Sequence, residues 1–185
     1  MSARQSAGEL EKIDRNWYKD RVIGADEFRR VLGHFCSGVT IITTVDADGR
    51  PTGLTASAFT SVSLNPPLIL VCVAHDAQSY RALADGTRFA VNILAHDQES
   101  ISTRFATKPA AHAAEKFEGV GYRMGSLGVP VLKDSLAELE CTIVHAYPAG
   151  DHTIFVGRVE AADARGDGGL HPLLYYRGKY RHVHH

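Results

Sequence analysis

A run of small and hydroxylated residues, Gly53 to Pro67 (GLTASAFTSVSLNPP), occupies a stretch where a core strand would carry Val, Ile or Leu. Small side chains let a flat ligand approach the backbone, whose N–H and C=O groups can then hydrogen-bond a heteroaromatic edge. Four hydroxyls in the run could meet a polar chain or a phosphate, those of Thr55, Ser57, Ser61 and Ser63. The same pattern also fits the polar outward face of an ordinary strand, and the pattern alone leaves both interpretations open.

Familiar catalytic and metal motifs are missing from the sequence. It contains neither G-x-G-x-x-G nor G-x-x-x-x-G-K-[ST], so neither a Rossmann site nor a P-loop is predicted. H-E-x-x-H and G-x-S-x-G are also absent. The chain ends in a tail containing His182, His184 and His185, which could chelate metal adventitiously. We predict no metal site.

Composition narrows the class of protein. The chain has 185 residues, 44% of them apolar, and 20 Lys+Arg against 21 Asp+Glu give a net charge of −1. Such a balance provides no general attraction to nucleic acid or anionic lipid. The longest apolar run, Leu68 to Ala74, is too short for a membrane span, and the polar N-terminus lacks the apolar core of a signal peptide. We therefore expect a cytoplasmic protein with no membrane or nucleic-acid partner, in which Cys36, Cys72 and Cys141 are reduced, buried thiols.

Apolar periodicity defines the elements that must position these residues. Residues 1–25 form a polar N-terminal arm, predicted to pack on a partner subunit, and a helix N-capped by Asp26 is expected to run as far as Gly38. Short strands follow, and a polar stretch at 107–114 is typical of a mobile loop. Strands at 136–146 and 153–161 are predicted to flank a hairpin or wide loop. The interpretation is one domain, 26–181, whose largely antiparallel sheet closes into a small β-barrel, followed by a tail at 182–185.

The string GLTASAFTSVSLNPPLILVCV, from Gly53 to Val73, resembles the signature of the short-chain flavin reductases. These are the reductase components of two-component flavin-dependent monooxygenases, and their fold is the FMN-binding split β-barrel. The resemblance continues through FRRVLGHFCSGVTIITT, FAVNIL, Arg104-Phe105, Gly150-Asp151-His152 and LLYYRGKY. It covers residues 26 to 180 in order, and the whole series makes it specific.

The resemblance implies a flavin site along two strands. The strand Pro51-Thr52-Gly53-Leu54-Thr55 and the following Ser57-Ala58 would hold the isoalloxazine, largely through backbone atoms. Cys72-Val73-Ala74 would pass the ribityl chain, and Gln78-Ser79 would open a helix at the phosphate, where a helix N-terminus with a hydroxyl suits an anion. The family often has Ser where this chain has Ala58, so this chain lacks the polar contact that a Ser hydroxyl could make.

Further positions match the family outside these strands. Arg104 and Phe105 would complete the phosphate and ring contacts, although Arg104 also fits a surface helix charge. His152 would face the nicotinamide over the flavin, and Asp151 would serve the turn. Tyr180 and Tyr176 are further candidates that also fit packing at the barrel end. For Asn92, inside an apolar strand, a buried hydrogen-bond partner is expected.

The implied activity is that of an NAD(P)H:flavin oxidoreductase, with FMN or FAD as flavin and NADH or NADPH as hydride donor. Hydride would pass directly between stacked rings held at about 3–3.5 Å, which requires no side-chain acid or base. The resemblance also implies a homodimer with flavin near the subunit interface, delivering reduced flavin to a separate monooxygenase. The alternatives are a split-barrel flavin module or oxidase that keeps its flavin, and a haem- or metal-binding split barrel.

Overall fold

A computed structural model describes residues 23–107, 113–166 and 169–183. The described residues divide into two compact units, with the division between Phe35 and Cys36. In the first, helix α1 spans Ala25–Leu32. Its N-cap is Gly24 and its C-cap is Gly33, so the predicted cap at Asp26 and end at Gly38 are wrong. Asp26 instead lies in the first turn and pairs with Arg29.

The second unit consists mainly of strands. In chain order these are β1 (Ser37–Gly38), β2 (Thr40–Val45), β3 (Pro51–Ala56), β4 (Phe59–Leu64), β5 (Pro67–Ala74), β6 (Arg88–Ile93), β7 (Tyr122–Met124), β8 (Pro130–Leu132), β9 (Ala137–Ala149), β10 (His152–Ala164), β11 (Leu174–Tyr176) and β12 (Lys179–Arg181). The helices between them are α2 (Tyr80–Asp85), α3 (Glu99–Ala106) and a 3₁₀ helix (Ala113–Phe117). Among the described residues, none of the helices is long and apolar enough to cross a membrane.

Seven strands form one sheet in the order β3-β2-β6-β9-β10-β5-β4, and every pairing within it is antiparallel, as predicted. The two edge strands, β3 and β4, are consecutive in the chain and are joined by Ser57 and Ala58 alone. A two-residue connection cannot span a flat seven-stranded sheet, since strands lie about 4.8 Å apart. The sheet therefore curls until its edges approach, and residues of β3 and β5 lie within 8 Å of each other.

The curled sheet is packed on both faces. Ile42, Val73, Phe89 and Phe155 belong to one buried cluster, whereas Ile41, next to Ile42 in β2, belongs to a second cluster that includes Phe105 of α3. Strand β2 is therefore covered on both sides, which explains its unbroken β-branched run.

The β9–β10 hairpin is longer and tighter than predicted. Pairing continues to Ala149 and His152, so only Gly150 and Asp151 form the turn. Beyond Thr142, strand β9 pairs only with β10, and Pro148 falls in that one-sided stretch. A proline is tolerated there because its missing N–H can face the open side.

Asn92, the cysteines, the loop at 107–114 and the two chain ends were each the subject of a prediction. Asn92 is fully buried and its amide is satisfied, as predicted: Nδ2 donates to Ile41 O and Thr43 Oγ1, and Oδ1 accepts from Leu132 N. Cys141 is buried, but Cys36 is exposed, so the prediction of three buried thiols is wrong. The predicted arm falls almost wholly outside the described residues, as do 108–112 of the predicted loop and His184 and His185 of the tail.

Candidate functional site

The connection between the two edge strands is exposed and small. Ser57 and Ala58 both face solvent. The carbonyl oxygen of Ala58 accepts a 3.0 Å hydrogen bond from the backbone N–H of Cys72 in β5. The Ser57–Ala58 connection is therefore fixed to the strand that was predicted to continue the flavin site.

Strand β5 leads from this connection to the hairpin turn. Val71 and Val73 are fully buried, whereas Cys72 and Ala74 are half-buried and point to the opposite face. Directly across on β10, Ile154 pairs with Cys72 and His152 pairs with Ala74. Small or apolar side chains thus line one face of the sheet between Ala58 and His152. Val73, by contrast, contributes its side chain to the core.

The hairpin turn orients His152. Gly150 has φ +67°, a left-handed conformation that favours glycine. The Asp151 carboxylate lies 2.7 Å from His152 Nδ1, and the hydrogen bond from this imidazole lowers the pKa of Asp151. Asp151 occupies the turn, as predicted, and it also fixes the edge of the His152 ring.

A hydrogen-bonded group beside the turn was not predicted. Thr153 is buried, and its Oγ1 lies 3.1 Å from His75 Nε2 and 3.0 Å from Tyr80 OH. The backbone N–H of His75 donates to Asp151 O at 3.0 Å. These contacts join the end of β5, the start of α2 and the turn. Nothing in the sequence pairs His75 with Thr153, because the two are 78 residues apart.

The start of β3 forms a second polar group. Ser79, 1% exposed, donates its hydroxyl to Gly53 O at 2.8 Å, and Thr52 Oγ1 lies 2.9 Å from Ser79 Oγ. Since the one Ser79 proton goes to Gly53 O, Thr52 is the donor to Ser79. The hydroxyl predicted to meet a phosphate is therefore engaged within the protein. Gln78, next to it, is exposed.

Lys116 is a buried cation that sequence reasoning missed. It is 6% exposed, and its Nζ donates to Phe105 O at 2.8 Å and to Gly53 O at 3.4 Å. Desolvation by burial lowers the pKa of this ammonium group. The only signal in the sequence is its place in the short apolar-flanked segment AAEKF, which is a weak one.

Arg104 and Phe105 are neighbours at the end of α3, but their side chains lie in different environments. The guanidinium of Arg104 is exposed, donates to Glu118 O, and lines cavities of about 360 and 490 Å³. Phe105 is 1% exposed and packs edge-on against Phe117, with ring centroids 5.0 Å apart. Phe105 is therefore a core residue in this structure, and its contact with a bound ring stays a prediction. The Phe105 ring lies 3.1 Å from where a Cβ of residue 53 would stand, which favours Gly53.

Thr55 and Tyr180 both form hydrogen bonds with Ser102 of α3. Thr55 Oγ1 donates to Ser102 O at 2.6 Å, and Ser102 Oγ lies 2.8 Å from Tyr180 OH. Leu54 packs against the core inside the curled sheet. The remaining candidates, Pro51 and Tyr176, are half-buried.

The predicted residues thus fall into separate groups. One group surrounds the face between the connection and the turn: Ser57, Ala58, Cys72, Ala74, Asp151 and His152. A second lies at the start of β3 with Thr52, Gly53, Gln78 and Ser79. Among the described residues, no cluster of His, Cys, Asp and Glu is arranged to hold a metal ion.

The flavin reductase like domain matches residues 32–184. An NADH-dependent flavin reductase from Rhodococcus sp is 44% identical over 155 residues, 83% of each chain. A Rhizobium meliloti protein named "Probable flavin reductase" is 42% identical over 152 residues, and the matched part is 82% of this chain but 47% of that protein.

Solved structures are similar over the same part of the chain. A nitrilotriacetate monooxygenase component B homologue from Mycobacterium thermoresistibile is 40% identical with a TM-score of 0.80, covering 86% of both chains. The NADH:FAD oxidoreductase SgcE6 of Streptomyces globisporus, in complex with NAD and FAD fragments, is 35% identical with a TM-score of 0.79. It covers 89% of this chain and 97% of that one.

Proposed function

Because this chain belongs to the flavin reductase like domain family, we propose that it transfers hydride from NADH to a flavin and supplies the reduced flavin to a separate monooxygenase. One observation carries the assignment to particular residues. Ala58 O is bonded to Cys72 N, and His152 pairs with Ala74 two residues further along the same strand. This arrangement supports a flavin held at the connection and a nicotinamide held at the turn.

The face between Ala58 and His152 fits a flat ring system. Ser57 and Ala58 are exposed and small, so their main chain is accessible, while Cys72 and Ile154 offer half-buried apolar contact. A bound flavin would supply the hydride acceptor. The chain's own residues would then align the two rings and exclude water, and no side-chain proton donor is needed in that arrangement.

His152 is the residue we assign to the nicotinamide. Its Nδ1 is held by Asp151, so its Nε2 edge is the one that can meet a ligand. Gln78, exposed at the start of α2, and Arg104, exposed at the end of α3, remain the candidates for the flavin phosphate. The Ser79 hydroxyl is left out of this set, since it is bonded to Gly53 O.

The finer architecture is part of the same proposal. A sheet whose edge strands β3 and β4 meet at a two-residue connection is consistent with a split β-barrel. We propose a homodimer in the cytoplasm with flavin near the subunit interface. Exposed apolar side chains, including Phe28 and Val31 of α1, are compatible with a partner surface.

Anaerobic stopped-flow absorbance tests the reductase function. The protein is mixed with FMN or FAD and then with NADH or NADPH, and bleaching of the visible flavin band is followed. Rapid bleaching with turnover of added free flavin supports a reductase of diffusible flavin. Bound flavin that stays oxidised with both nicotinamides would contradict the proposal and indicate a module that keeps its flavin.

A further inference from the structure

A cavity of about 740 Å³ adjoins the start of β3, and apart from Gln78 its lining residues have no part in the function proposed so far. Its walls are the β2–β3 turn, helix α2 from Arg81 to Asp85, and the loop at 127–129. Thr52 and Gln78 also line it. Through Thr52 and Gln78 the cavity adjoins the start of the flavin strand, and its volume is typical of a small-molecule site.

Two walls of the cavity are fixed by hydrogen bonds. The buried carboxylate of Glu140 accepts from Ser126 N at 2.9 Å and from Leu127 N at 2.7 Å, and Arg88 Nη1 donates to Leu127 O at 2.9 Å. In the β2–β3 turn, Asp46 Oδ1 accepts from the backbone N–H groups of Asp48 and Arg50. A ligand would thus meet walls that are already ordered, which lowers the entropic cost of binding.

The side chains in the cavity suit a nucleotide. Arg81 and Arg88 bring two guanidinium groups, and within the described ranges Arg81 forms no ion pair. Guanidinium groups bind phosphate through paired, charge-assisted hydrogen bonds. Asp85 adds a carboxylate, which can accept hydrogen bonds from a ribose diol. Leu127, which is half-buried, supplies apolar surface for a base.

We propose that this cavity binds the adenosine diphosphate moiety of a dinucleotide, with Arg81 as the residue that contacts its phosphates. The inference rests on the proposed reductase function, in which both FAD and NADH carry this moiety. Continuity with Thr52 and Gln78, at the phosphate end of the flavin site, favours FAD as the source. In that case the cavity selects FAD over FMN.

Flavin binding by an Arg81→Gln variant tests the assignment. Arg81 is exposed, so its replacement leaves the core intact. We expect the Kd for FAD to rise about tenfold, as for loss of a charge-assisted phosphate contact, while the Kd for FMN stays within about twofold. Arg158→Gln is the matched control, because Arg158 is also exposed, pairs with Glu160 and lies outside the cavity. ADP should displace FAD from the wild-type chain and should not displace FMN.

A second arm distinguishes the two sources of the moiety. With FMN as the flavin, the KM for NADH is measured in the same variants. A raised KM in Arg81→Gln, with an unchanged FAD to FMN ratio, would assign the cavity to the nicotinamide dinucleotide. An unchanged ratio together with an unchanged KM overturns the inference and leaves the proposed function standing. If the wild-type chain binds neither flavin, the proposed function and this inference both fail.

Discussion

The imidazole of His152 and the carboxylate of Asp151 are neighbours in sequence and meet at 2.7 Å across the tip of a two-residue turn. Adjacent residues of a strand point to opposite faces, so this contact is possible only because Asp151 lies in the turn itself. The carboxylate holds one edge of the ring. The backbone of the turn is itself fixed, because Asp151 O accepts a hydrogen bond from His75 N.

Replacing His152 should mainly affect the nicotinamide. We expect His152→Ala to raise the KM for NADH about tenfold and to leave kcat within about threefold, since the ring contributes binding and not proton transfer. Steady-state kinetics at saturating flavin provides the measurement. Asp151→Asn, which keeps a hydrogen-bond acceptor next to Nδ1, should change the KM less. Unchanged NADH kinetics in His152→Ala would contradict the assignment.

Adding a hydroxyl at Ala58 should strengthen flavin binding. Ala58 is exposed at the connection, and the related family strand often carries Ser there. One additional hydrogen bond contributes about 0.5–1.5 kcal/mol, so Ala58→Ser should lower the flavin Kd by about two- to tenfold. Equilibrium titration of flavin fluorescence measures it, with Thr60→Ser, on the exposed β4 edge, as control. A Kd that stays the same would place the flavin elsewhere.

A side chain at Gly157 should destabilise the fold. A Cβ there would stand 2.6 Å from Cζ of Phe89, whose ring is fully buried, and 3.0 Å from Cβ of Cys141. Overpacking of this kind costs about 1–3 kcal/mol, which urea unfolding of Gly157→Ala can measure. Gly38→Ala is the control because its Cβ would meet nothing within 4 Å. Equal stability of the two variants would contradict the packing described for Phe89.

Lys116 should make stability depend on alkaline pH. Burial lowers the pKa of its ammonium group below the ordinary value of 10.5, so in the window between the two pKa values the unfolded chain binds more protons than the folded one. Raising the pH through that window therefore stabilises the folded state.

The comparison variant is Lys116→Met, which lacks the titrating group. We expect the stability of the wild type relative to this variant to increase as the pH rises from neutral towards 10.5, and urea unfolding at several pH values measures the difference. Subtracting the two curves removes the titrations that the proteins share. Parallel curves across the window would show that Lys116 titrates normally.

The sequence allowed the antiparallel sheet and the satisfied amide of Asn92 to be predicted, because both follow from local patterns. A polar residue within a buried strand must find partners, and Asn92 finds them on β2 and at Leu132. Proline at 148 suggested a loop, and only the one-sided pairing of β9 beyond Thr142 shows why it stays in a strand.

The candidate site was predictable in part. The Ser57–Ala58 connection and His152 are marked by unusual residue types, and the structure brings both to β5. In the sequence, Phe105 and Ser79 look equally available to contact a ligand. In the structure, Phe105 is a core residue and the Ser79 hydroxyl donates to Gly53 O. The sequence did not predict roles for Lys116, His75 and Arg81, because the residues around them come from distant parts of the chain.

The two-residue connection between β3 and β4 also bears on how quickly flavin can exchange. Closing a loop this short costs little chain entropy, so the edges of the sheet stay together without help from a ligand. The residues that would receive the flavin are therefore ordered before it arrives. A preorganised site needs no slow rearrangement for a ligand to enter or leave. Such a site suits an enzyme that must release its product to another protein on every turnover.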